Sequence, residues 1–363
     1  MNRSILIVGG GVIGLACAWR LAQAGHGVTV LDAAPEAREA SWAAGGMLAP
    51  HHEADATDDR WRLGVAGLAR WPAFARQLVD DPAALDFHEQ GGLVPWLDDD
   101  DRQAIDLRLE PLRVARIAVE TWTKHELVAR DGALTGAAGA FLLPAAQVDP
   151  RRLLAALRTA VVGIGVDLRP DQTVTAIAPG RVDLADGKHL EADDLVLASG
   201  AWSQTLARTT GLTLPVEPVK GQMLRFAAPD GLLQHFVHCH HAYLIPRRGL
   251  GVVVGSTMVE SGFNKSEEAA AIARLAAQAR RLVPALAQAE IAETWTGLRP
   301  RLHGGRPLIA RIQPGLIVAT GHFRNGILLA PLTAEIVVAL TNRLAIAPEA
   351  VPFALAAGVV SSV

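Results

Sequence analysis

Apolar and polar positions along this chain switch between a period of two and a period near four, most sharply within the first forty residues. Ser4 to Val8 is a short run of β-branched residues and leucine, the pattern of a strand. Val12 to Ala24 then carries helical spacing and stops at Gly25, a natural C-terminal signal, before a second strand from Val28 to Leu31. Gly9, Gly11 and Gly14 link the first strand to the helix. This spacing permits a tight turn, the approach of a pyrophosphate to the backbone, and close packing of helix on strand. The N–H groups and the macrodipole at the helix start favour phosphate there. Asp32 closes the second strand, where a carboxylate can accept from both ribose hydroxyls. That points to FAD or NAD and away from the 2′-phosphate of NADP, without choosing between the first two.

Beyond Asp32 the periodicity stops. Ala33 to Pro50 is expected to be a long loop, and a loop of that length inside a compact domain is usually functional. Residues 61 to 80 and 102 to 120 have helical spacing, and the acidic run Asp98 to Asp101 is expected to be a solvated turn. Asp149-Pro150 forms an N-cap followed by proline, opening a helix with Leu153, Leu154, Leu157 and Val161 on one face. Strands return at Gly165 to Arg169, Thr173 to Ile177 and Asp194 to Ala198, the last running into Ser199-Gly200-Ala201-Trp202. That small-residue turn offers a second approach of backbone to a nucleotide. Leu214 to Val259 is strand-rich, with a hairpin-like Tyr243 to Gly249 before Val252-Val253-Val254. A helix is expected from Ser266 to Val283, ending at Pro284. Nucleotide-type segments thus recur at the start, middle and end of the chain, with β-rich inserts between them. The fold expected is α/β: a discontinuous Rossmann-like dinucleotide domain from residues 1–50, 145–213 and 297–363, and an α+β substrate domain on an antiparallel sheet from 51–144 and 214–296. The active site belongs where the two meet.

Composition narrows the field. With 363 residues, half of them apolar, the chain can bury a large core. A net charge of -3 with no basic stripe argues against nucleic acid as a partner. The two cysteines, Cys17 and Cys239, stand far apart and read as thiols of a reducing compartment. The N-terminal apolar run is a strand and not a secretory signal, and Gly326 to Leu340 is too short to span a bilayer, so a cytoplasmic protein without a membrane partner is expected.

The candidate chemistry lies late in the chain, in Trp295 to Arg301 and Gly321 to Gly326. Arginines in such Gly/Pro-bounded settings are costly to bury unless paired, and their planar fork suits a substrate carboxylate. Arg299 and Arg324 are therefore candidate anion ligands, with structural bonds to backbone carbonyls as the alternative; Arg301 reads as a solvent-facing neighbour. Tyr243, the sole tyrosine, is either a neutral donor to the same anion or an amphipathic core residue. His235 to His241 invites a zinc reading, but an extended segment puts His238 and His240 on one face and Cys239 and His241 on the other. A polar strand edge lining a pocket fits better. His51, His52 and Glu53 make no metal motif, and no Gly-x-Ser-x-Gly elbow supports a hydrolase.

Taken together, Gly9 to Gly14, Ala40 to Leu48, Ser199 to Ser203, Gly297 to Pro300 and Gly321 to Pro331 give the chain a resemblance to the D-amino acid oxidase family of FAD enzymes, over nearly its whole length. The resemblance implies FAD as cofactor, held by Gly9, Gly11, Val12, Ile13, Gly14 and Asp32. Ser41, Gly45, Gly46 and Met47 would run along pyrophosphate and flavin, Val174 would bond the adenine, and Gly200 and Trp202 would add the second approach. His322, Arg324, Asn325, Gly326 and Ile327 would meet the flavin edge, with Arg299 alongside. Arg299, Arg324 and Tyr243 match positions that hold a substrate carboxylate, and His241 and Met258 match pocket-lining positions. Related sarcosine oxidases tether FAD through a C-terminal cysteine; none follows Cys239, so non-covalent FAD is expected. The implied partners are a small amino acid or secondary amine and O2, and a homo-oligomer is expected. The implied reaction is oxidation of glycine, sarcosine or a small D-amino acid to an imine with release of H2O2. A dehydrogenase passing electrons to a quinone or protein is the alternative.

Overall fold

The computed structural model describes residues 2–33, 38–53, 57–239, 242–354 and 361–362. Two sheets organise the chain. The first has six strands in the order Leu308–Gln313, Leu316–Thr320, Asp194–Leu197, Ser4–Val8, Gly27–Leu31 and Asp167–Arg169, all parallel except the antiparallel edge strand Leu308–Gln313. Its strands come from the beginning, middle and end of the sequence, so this unit is discontinuous.

Both faces of this sheet are covered, which is why its strands read as continuous apolar runs. Ile5 and Ile7 pack with Val28, Val30, Val196 and Ile317 under the helices Val12–Gln23, Pro150–Gly163 and Gly326–Asn342. Leu6 and Val8, one residue out of phase, join Leu195, Leu197 and Val318 against Ile177, Val182 and Leu184 of a small three-stranded antiparallel sheet.

The second sheet has eight strands, Ile291–Leu302, Val216–Phe226, Gly251–Gly255, Ala242–Arg247, Phe236–Cys239, Gly92–Trp96, Gly139–Leu143 and Glu120–Thr123, antiparallel except where Phe236–Cys239 runs parallel to Gly92–Trp96. The period of two sorts its faces. Leu224, Phe226, Leu244 and Val254 pack beneath the helix Ala269–Leu282 with Leu275, Ala279 and Leu282. Met223, Tyr243, Ile245, Val253 and Trp295 point the other way, toward Ala43 and Ala49. The boundary expected at 297 falls inside the strand Ile291–Leu302, so Arg299 is carried by the eight-stranded sheet.

Several elements differ from the sequence reading. The run Asp98 to Asp101 is not a solvated turn but the start of a helix, Asp99–Val114: Asp98 Oδ1 accepts from the Asp101 amide at 2.9 Å, and three acids in the first turn complement the dipole. That helix ends before 120, and the chain re-enters the sheet as Glu120–Thr123. The preceding helix is Asp59–Leu78, which keeps Pro72 inside it. The loop from Ala33 to Pro50 contains a turn of helix, Ala40–Ala43, and a short strand, Met47–Leu48, paired with Ala146–Gln147. The expected helix from Ser266 starts only at Ala269, because Lys220 Nζ binds the Ser266 carbonyl and Gln222 Oε1 takes the Glu268 amide. The apolar region near the C-terminus is longer than expected: Phe323–Asn342 spans 20 residues, long and apolar enough to cross a bilayer. Here it is a core helix, with Ile327, Leu328, Ala330, Leu332 and Val337 buried.

Candidate active site

Between the two sheets lies a cavity of about 640 Å³, within the range that small-molecule sites occupy. Its nucleotide end is built as the glycine spacing demands. A Cβ on Gly14 would sit 1.8 Å from the Gly9 carbonyl oxygen, so helix and strand meet at backbone distance. Gly9, Gly10, Gly11, Val12, Ile13 and Asp32 line this end, with Gln172, Thr173 and Val174 beside them. The first helix has no cap from its own N-cap residue, Gly11; instead Ser41 Oγ accepts from the Val12 amide at 3.0 Å. Gly14 lies behind the wall as a packing residue.

At the middle of the cavity, Gly45, Gly46 and Met47 face Gly200, Ala201 and Trp202. Gly46 has φ +80°, and a Cβ there would stand 2.0 Å from the Val148 carbonyl, so no other residue fits. Arg247 fixes this loop from behind. Its Nη2 donates to the Gly45 carbonyl and, at 3.0 Å, to that of Val148, while Nη1 lies 3.6 Å from Asp86. Arg247 is 3% exposed and Asp86 1%, so this is a buried ion pair behind the wall. Burial pushes the guanidinium down, and Asp149 and Asp86 oppose that shift.

Arg299 occupies the far end. It pairs in register with Val219, and the neighbouring Gly221 makes its room: a Cβ on Gly221 would lie 2.2 Å from Arg299 Nη1. Arg299 donates to the Thr257 carbonyl from Nη1 at 3.1 Å and to Ser256 Oγ from Nη2 at 2.6 Å. Those bonds use two of the five N–H groups of a guanidinium and leave the rest for an anion. The structural bonds of the alternative reading are therefore present, one of them to a backbone carbonyl, and donors remain beyond them. Among the described residues no carboxylate forms an ion pair with it, so its charge is uncompensated. Tyr243, 8% exposed, lines the same end and donates its O–H to Met223 Sδ at 3.0 Å, a weak acceptor.

Arg324, in the turn Phe323–Asn325, also lines the cavity, but it is already paired: Nη2 and Nε donate to Glu53 Oε1 at 2.7 and 3.1 Å. Behind this turn starts the helix Gly326–Asn342, which has no side-chain cap and puts Gly326 and Ile327 on the cavity wall. Its free N–H groups favour negative charge there. Asn325 is the N-cap residue and does not line the wall. Met258 is 58% exposed and also lies outside the lining. His241 lies outside the described residues. Arg301 is bound to Glu217 and Glu260 at 3.0 and 2.6 Å, a half-exposed ion pair rather than a free surface charge.

His322 lines the wall from a buried position, its Nε2 3.0 Å from Thr333 Oγ1; burial pushes its pKa down to about 3. His51, which accepts from Trp61 Nε1, is pushed down to about 4, and His52, fully buried, falls well below the ordinary range. These imidazoles stay neutral in the fold while an unfolded chain protonates them near 6.5. The depressed folded values place their contribution above pH 6.5, and it is lost as pH falls toward 4. Unfolding free energy is expected to be flat above pH 7 and to drop between 6.5 and 5 by about 1.4 kcal/mol per pH unit for each such histidine. Urea titrations across that window check this, and His322→Gln should flatten the slope by about one proton. Equal stability at pH 5 and 7 would contradict it.

The residues present fit FAD. The paired backbone approaches at Gly9–Gly14 and Gly45–Gly46, the ribose-range carboxylate of Asp32 and the cavity's size match a dinucleotide with a flat apolar ring beyond it. No cysteine lines the cavity; Cys17 is buried, its thiol pushed up to about 12, and Cys239 stands elsewhere in the eight-stranded sheet. No group of three or more metal-ligating side chains occurs among the described residues. Arg247, Glu53, Ser256, Thr257 and Gly221 are the parts of the site that the sequence reading did not single out for it.

Comparison with known proteins agrees with this geometry. Residues 4–340 match the family described as FAD dependent oxidoreductase, and the chain belongs to that family of flavoproteins. Within it, the chain is 36% identical to glycine oxidase from Pseudomonas putida over 353 residues, 93% of each chain. It superposes on the crystal structure of glycine oxidase from Geobacillus kaustophilus with a TM-score of 0.91 at 32% identity, covering 98% of both. Iminodiacetate oxidase from Chelativorans sp. BNC1 follows at TM-score 0.85 and 25% identity, over 96% of this chain and 98% of that one.

Proposed function

We propose that this flavoenzyme oxidises the amine of glycine, sarcosine or a small D-amino acid to the imine, with O2 reduced to H2O2. The observation that carries the reading is Arg299: a cavity arginine, held by neutral partners, with no carboxylate of its own among the described residues. A free amino acid carries the missing anion on the carbon next to its amine. FAD, when bound, accepts a hydride equivalent from that carbon and hands the electrons to oxygen.

The chain's own part is binding and exclusion. Arg299 forks the substrate carboxylate, and the Tyr243 O–H, whose acceptor among the described residues is a thioether, can turn toward it. Gly45 and Gly46 bring loop backbone to the cavity wall, packed without side chains against Tyr243, Ile245 and the Val148 carbonyl, and the uncapped helix start at Gly326 favours negative charge at its edge. The apolar walls keep water out. No acid–base group is required, since a neutral amine needs only to be oriented. The near-identical span of the glycine oxidases supports glycine as the first substrate to test. With flavin fully loaded, glycine, sarcosine, D-alanine and D-proline are each offered in air and peroxide is measured. Release with glycine or sarcosine is expected; silence with all four would overturn the proposal.

A further inference from the structure

The cavity holds two arginines, yet they differ in charge state as a site. Arg299 faces it with neutral partners, Thr257 O and Ser256 Oγ, whereas Arg324 gives both Nη2 and Nε to Glu53 Oε1. Glu53 is itself a wall residue, with a side chain 17% exposed, so its carboxylate is part of what a ligand meets. The remaining wall acids are accounted for: Glu39 is already paired with Lys265 at 3.0 Å, and Asp32 closes the nucleotide end. The substrate end therefore carries one unit of uncompensated positive charge.

We propose that Glu53 is a specificity-determining residue: by neutralising Arg324 it limits the site to ligands with one carboxylate and turns away dicarboxylic amines. This rests on the function proposed above and names the substrate class it excludes. One anion on Arg299 closes the local charge balance. A second anionic group has only a neutralised arginine to meet, and the Glu53 carboxylate repels it at close range in a partly desolvated wall. Removing that carboxylate leaves Arg324 as an unpaired cation in the cavity, which converts the site into a two-anion receptor.

The test uses binding without turnover. The holoenzyme is titrated with acetate and with malonate, neither of which can be oxidised as an amine, and the flavin absorbance change gives each Kd. In the parent enzyme acetate should bind at least about tenfold tighter than malonate, since malonate brings one charge too many. Glu53→Gln should shift the malonate-to-acetate preference by about tenfold or more toward malonate, and adding Arg324→Gln should abolish that shift. In turnover, Glu53→Gln should gain iminodiacetate as a substrate chiefly through KM. Equal binding of malonate and acetate by the parent overturns the inference, as does a shift that survives the loss of Arg324. Failure of acetate to bind at all would instead strike at the reading of Arg299 as the carboxylate ligand.

Discussion

Arg299→Lys should raise the KM for glycine by about 100-fold, equivalent to about 2.7 kcal/mol, while the protein keeps its full complement of flavin. The guanidinium spends two N–H groups on Thr257 O and Ser256 Oγ and presents the others toward the cavity. A lysine ammonium cannot hold both partners and fork a carboxylate as well, because its three donors diverge from a single nitrogen. The deficit belongs to substrate binding, so titration with acetate should show the same weakening as turnover. Flavin lost in parallel with KM would show that Arg299 chiefly braces the wall.

Arg247→Met is expected to have the second large effect, on cofactor retention and stability together. The side chain removed is buried, and its loss leaves the buried Asp86 carboxylate without its guanidinium, with His88 Nε2 beside it at 2.9 Å, and the Gly45 and Val148 carbonyls without their donor. Breaking one side of a buried ion pair costs about 3–5 kcal/mol. In a chain of 363 residues that amounts to a fall in Tm of roughly 4–7 °C. Because the lost donor holds the Gly45–Gly46 loop, FAD should dissociate at temperatures where the fold survives. Thermal melts followed by flavin fluorescence and by circular dichroism separate the two events. A Tm within about 2 °C of the parent with unchanged FAD affinity would contradict the assignment.

How much of this was legible in the sequence depends on whether each feature is local. The strand, Gly9–Gly14 turn, helix and second strand are adjacent in the chain, and their order alone implies the nucleotide end. That Arg299 and Arg324 sit in constrained backbone is legible too, from the glycines and proline near them, and both line the cavity. The acidic run from Asp98 carries a local helix signal beneath its charge: Asp98 and Asp101 have the spacing of an N-cap and its third helical residue. Arg247 could have been found by strand periodicity, for it shares a face with Tyr243 and Ile245, whereas its neighbour Arg248 does not. Glu53 could not. Its partner Arg324 lies 271 positions away, and nothing near His51-His52-Glu53 hints that the loop returns to the cavity. Gly221 is equally silent, because the space it leaves is needed only by the guanidinium on the paired strand.

The central claim is that the cavity orients a small amino acid by its carboxylate beside FAD. Mixing the holoenzyme with glycine in the absence of oxygen, and following the flavin absorbance near its visible maximum, tests this most directly. Bleaching that is complete with one glycine per flavin, followed on admission of air by full recovery and one peroxide per flavin, is the predicted result. A flavin that stays oxidised with glycine, sarcosine and D-alanine alike would contradict it.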